Sequence, residues 1–170
     1  FAARAENPAS SDKPPQPTLI VVVGAAGEPS YGKIFAEELA QWRETATDAA
    51  VTLHVIGDPA ADENGAPDKD RLKQRLADEQ TAARRDAPLW LVFIGHGTFD
   101  GRTAAFNLRG PDVTSGELTA WLKSCERPLA VVDTTAASAP FLTALSAPGR
   151  VVVTATKSGQ ERNYARFGRY

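Results

Sequence analysis

Apolar positions along the chain fall into two patterns that alternate. Five short, largely apolar runs occupy residues 18–24, 51–57, 89–94, 129–133 and 150–156. Runs of that length, rich in valine, isoleucine and leucine, read as strands buried on both faces, as in a parallel sheet covered by helices. The segments between them carry helical spacing. Residues 31–47 set Phe35, Leu39, Trp42 and Ala46 on one face, with Glu37, Glu38, Gln41 and Glu44 mostly elsewhere. Residues 68–85 are charged apart from a thin stripe of Leu72, Leu76 and Ala83, the pattern of a helix that covers a sheet and shows its other side to water. Thr114-Ser115-Gly116-Glu117 is a capping box that opens a helix through Leu118, Trp121 and Leu122 to about Lys123. Residues 140–145 read as a short helix, and residues 98–112, with Gly101, Gly110 and Pro111, as a small hairpin or excursion. Strands alternating with helices predict an α/β fold, a three-layer α-β-α arrangement on a mostly parallel sheet with right-handed crossovers.

Composition narrows the class. A chain of 170 residues, 42% hydrophobic, fits one domain of ordinary size plus a tail. A net charge of −2 and an isoelectric point near 5.7 argue against a nucleic-acid partner. No apolar run is long enough to span a membrane. Cys125 stands alone, which rules out an internal disulfide and a multi-cysteine zinc site; with only His54 and His96, a histidine-rich metal site is not expected either. Asp62, Glu63 and Asp68 lack the alternating spacing of a calcium loop and read as solvated charge. No cofactor is expected. The chain starts on Phe1, contains no methionine and ends on Phe167-Gly168-Arg169-Tyr170, so an incomplete chain is expected. Ala3-Arg4-Ala5 resembles the small-residue cleavage site of a secretory signal, which points to export, periplasmic or extracellular; without such a signal the location is cytoplasmic. Residues 1–17, rich in Pro, Ser and Asn, read as a flexible leader or signal-peptide remnant. Residues 18–170 read as the folded domain, truncated at its C-terminal end.

Candidate chemistry centres on Gly95-His96-Gly97, directly after the third apolar run. Sites in open α/β sheets form beyond the carboxyl ends of strands, so a histidine delivered there is placed for chemistry, or else caps a turn. His54 lies inside the second strand and reads as a packing or edge-strand residue. Asp133-Thr134-Thr135 ends the fourth strand. If the third and fourth strands are neighbours, His96 faces residues 134–138 across about 5 Å of strand spacing, a base beside a loop that could hold a nucleophile. Gly24 and Gly27 follow the first strand, but the spacing is wrong for a dinucleotide-binding loop and Pro29 intrudes. Arg102, Arg109, Lys157 and Arg162 lie on loops at the same edge and read as solvated charge; as binding groups they would favour a carboxylate-bearing ligand.

An apolar strand ending in Gly-His-Gly, then a helix, then a strand ending Val131-Val132-Asp133 resembles the caspase-like cysteine peptidases, the group of caspases, metacaspases, legumains and gingipain-like enzymes. The resemblance covers residues 18–159. It implies a sheet in the order 2-1-3-4-5-6 with helices on both faces, the last strand falling beyond this chain. It implies a His–Cys dyad, with His96 as the histidine and backbone amides, Gly97 among them, stabilising the oxyanion. The chain departs from the family at the nucleophile. Thr135 stands two residues after Asp133, where the family has cysteine, and an alignment anchored on Ser138 puts Ala136 there instead. Cys125 lies before the strand and cannot substitute. A hydroxyl needs a stronger base and a better-placed oxyanion hole than a thiol does. The expected function is therefore a pseudoenzyme that binds a peptide or protein partner, its degenerate site comprising His96, Gly97, Thr135 and Ser138. The alternative is an active hydrolase with Thr135 or Ser138 as nucleophile and His96 as base.

Overall fold

The computed structural model describes residues 16–58, 60, 65–81, 84–161 and 165–169. The leader up to residue 15, Asp62, Glu63, Ala83 and Arg162 lie outside them. In chain order the elements are β1 (Thr18–Val23), α1 (Pro29–Asp48), β2 (Thr52–Ile56), α2 (Asp68–Glu79), β3 (Leu89–Ile94), β4 (Gly97–Phe99), β5 (Ala104–Phe106), β6 (Val113–Thr114), α3 (Ser115–Trp121), β7 (Leu129–Asp133), α4 (Ala139–Leu145) and β8 (Arg150–Thr154), followed by a 3-10 turn over Phe167–Arg169. No described helix is long and apolar enough to cross a membrane.

The five apolar runs form one five-stranded sheet in the order β2-β1-β3-β7-β8, every pairing parallel. The expected α/β, three-layer arrangement and the strand order 2-1-3-4-5 are thus present. Side chains alternate between two cores. Ile20, Val22, Leu91, Phe93 and Val131 meet α2, α3 and α4 through Leu72, Leu76, Leu118, Leu122, Phe141 and Leu145. On the other face, Leu19, Val21, Val23, Val92 and Ile94 meet α1 through Phe35, Leu39 and Ala46.

Several boundaries differ from the sequence reading, each for a local reason. Pro29 does not delay α1: it sits in the first turn, where a missing N–H costs nothing. The second helix ends at Glu79, short of residue 85, because the Gln80 amide turns back to donate to Leu76 O and across to Trp121 O. Residues 97–114 make a small antiparallel sheet, β4-β5-β6, whose Phe106 packs on Phe93 with ring centroids 4.9 Å apart.

At the amino edge of the main sheet, Glu79 collects an ion cluster. Its Oε2 accepts from Arg127 Nη1 at 2.6 Å, Arg84 Nη1 at 2.9 Å and Thr18 Oγ1 at 3.0 Å. Arg127 is itself buried, and donates through Nε to Ala87 O and through Nη2 to Pro88 O. His54, on edge strand β2, stands 3.7 Å from Glu79 Oε1, so it belongs to this cluster and not to the carboxyl edge.

Candidate functional site at the carboxyl edge of the sheet

Parallel pairing brings the carboxyl ends of all five strands to one edge. β3 and β7 are direct neighbours, with Phe93 opposite Asp133, so residues 95–97 and 134–138 leave the sheet side by side. Close backbone approach dictates the glycines here. A Cβ on Gly95 would come within 3.1 Å of the Phe106 ring and 3.2 Å of Gly24 Cα. A Cβ on Gly97 would come within 2.7 Å of Thr135 Oγ1 and 3.1 Å of Ala137 Cβ. Glycine at 97 therefore lets β4 lie directly against the loop after β7.

His96 packs its ring on α1. It meets Tyr31 edge-on with centroids 4.6 Å apart and Phe35 at 5.3 Å. Its Nε2 lies 3.2 Å from Ala26 O. A carbonyl can only accept, so Nε2 carries a proton in this contact. The grip is aromatic and half-buried, and it fixes the ring on a rigid helix. Tyr31 and Phe35 were not assigned to the site from sequence; their spacing of four on a helix, one turn apart, was the available signal.

Thr135 stands where the sequence places it, at the end of β7 beside Gly97, with 1% of its surface exposed. Its N–H donates to Asp133 Oδ1 at 2.9 Å. Thr135 Oγ1 and Asp133 Oδ2 are buried with no hydrogen-bond partner among the described residues. Burial pushes the Asp133 carboxyl up to about 6, partly offset by the N–H and the nearby hydroxyl of Thr135. Thr134 points to the opposite face and donates to Phe93 O.

Ser138 is not brought to His96's side of the loop as a free hydroxyl. It is fully buried, 3.1 Å from Thr156 Oγ1, and accepts from the Thr156 N–H at 3.2 Å. Its work is to tie the loop after β7 to the loop after β8. The glycine loop after β1 is likewise committed: Gly24 N–H donates to Ile94 O and Ala25 N–H to Asn107 O, which removes those amides from any phosphate cradle. Among the loop cations, Arg109 makes a two-pronged pair with Asp68 at 2.8 and 3.1 Å, which also seats Asp68 at the start of α2 and away from any calcium loop. Arg102 and Lys157 are exposed. Cys125 is a free thiol packed against the α2–α3–α4 core. Among the described residues no group of three His, Cys, Asp or Glu side chains could hold a metal ion.

Comparison of the chain with protein-family models and with curated protein sequences found no match.

Proposed function

We propose that this chain is a caspase-like domain that binds a peptide or protein partner at the carboxyl edge of its sheet and does not cleave it. The observation that carries this reading is the state of Thr135. It occupies the position of the expected nucleophile, it is a hydroxyl and not a thiol, and it is 1% exposed beneath Gly97. A nucleophile must reach a carbonyl carbon at about 3 Å with a base in hydrogen-bond range. A hydroxyl enclosed by Gly97 and Ala137 offers a bound peptide no such approach. The His96 ring, seated on Tyr31 and Phe35, supports a role in shaping the edge. The Gly-His-Gly turn, the β3–β7 adjacency and the strand order support the caspase-like assignment.

The rival reading, hydrolysis by Thr135 with His96 as base, draws on one observation, the Thr135 hydroxyl oxygen without a described partner. One experiment separates the two. The protein is treated with a fluorophosphonate probe and, in parallel, screened against a peptide library for binding and cleavage. Binding without labelling or cleavage is expected, with binding lost in His96→Ala. Covalent labelling that disappears in both Thr135→Ala and His96→Ala would establish the enzyme and end the binding-only reading.

A further inference from the structure

We propose that residues 165–169 are a detachable strap that closes an apolar groove on the α1 face of the sheet. The groove exists because α1 covers only part of that face. Among the described residues α1 packs on β1, β2 and β3, with Val132 at its margin, while β7 and β8 extend beyond it. Parallel register sets Trp90, Ala130 and Val151 in one row, and Val132 and Val153 in the next, all on the α1 side. Two of them are open to water to an unusual degree for a central α/β sheet: Trp90 is 41% exposed and Val151 62%.

The upper end of this surface is a groove of about 500 Å³ between Trp42 of α1 and Val132 and Val153 of the sheet. Phe167 and Gly168 form its remaining wall. Gly168 lies so close to the buried Glu38 of α1 that a Cβ would come within 2.5 Å of Oε2 and 2.8 Å of Cδ. A larger residue there would have to displace the Glu38 carboxylate, so glycine lets the segment sit close against the helix. Phe167 walls one side of the groove and keeps 44% of its surface in water. Only part of its aromatic burial is therefore gained on docking, and closure is correspondingly shallow. Thr134 also lines the groove, one residue before Thr135, so the strap adjoins the loop of the candidate site. Opening it would expose a continuous apolar path from that loop down β7 and β8.

The test uses the whole chain and two substitutions. Gly168→Val places side-chain atoms against Glu38, and Phe167→Ala removes the ring from the groove without strain. Both are expected to raise emission of the apolar dye ANS severalfold and to speed tryptic cleavage after Arg166 by about tenfold, with circular dichroism unchanged. Phe167→Ala is on the surface and decides the matter alone if Gly168→Val fails to fold. Wild-type dye binding and cleavage rate in Phe167→Ala would overturn the strap.

Discussion

Asp133 ends its strand facing Phe93 on the side of the sheet covered by α2, α3 and α4, and its carboxyl is cut off from water. In the unfolded chain an aspartate ionises near the ordinary value of about 4; in the fold burial holds this one near 6. The folded state grips the proton more tightly, so this contribution is fully present below about pH 4 and is lost as pH rises through about 6. Some two units correspond to a loss of order 3 kcal/mol at neutral pH. Asp133→Asn keeps an acceptor for the Thr135 N–H and carries no charge. It should stabilise the protein at pH 7 and do little at pH 4. Urea titrations at both values check this, and an equal effect at the two would remove ionisation as the cause.

The third helix illustrates what local sequence can and cannot carry. Thr114 Oγ1 accepts from Glu117 N–H, and Glu117 Oε2 accepts from Thr114 N–H at 3.0 Å, the reciprocal pair expected from the capping box. Lys69 of α2 adds an ion pair to the same Glu117 at 2.7 Å. Thr114→Ala should cost about 2 kcal/mol, the upper end of the usual range for an N-cap, because α3 is only seven residues long. A shift in urea midpoint at constant slope reads it directly. This cap was legible because both partners lie within four residues. The five strands of the main sheet were legible for a similar reason, since each declares itself as an apolar run, whereas β4, β5 and β6 showed only as a small hairpin or excursion. The end of α2 was not, because Gln80 settles it by reaching Trp121, forty-one positions away. The site divides the same way. Gly95-His96-Gly97 and Thr135 could be placed from strand ends alone. The grip of Tyr31 and Phe35 on His96, and the tie between Ser138 and Thr156, depend on how separate loops meet at the edge.

Across the whole molecule, the Glu79 cluster joins segments that the chain keeps far apart: the start of β1 at Thr18, the end of α2, Arg84, and Arg127 ahead of β7. The Arg127 guanidinium is enclosed, so weakening its anion strands a charge. Glu79→Gln should destabilise by about 3–5 kcal/mol, and chemical denaturation followed by circular dichroism measures it. A loss below about 1 kcal/mol would mean that the cluster is held by the carbonyls of Ala87 and Pro88 and not by the carboxylate. These anchors sit at the amino ends of the strands, opposite Gly97 and Thr135. A fold arranged in this way separates what selection must preserve for shape from what it can alter for use. Mutations at the exposed positions of the carboxyl rim, Glu28, Arg102 and Lys157 among them, can accumulate over evolutionary time with little penalty in folding. Gly95, Gly97, Thr135 and Ser138 meanwhile hold the loop backbones in place, so the same scaffold can be repurposed by drift at one rim while the other stays fixed.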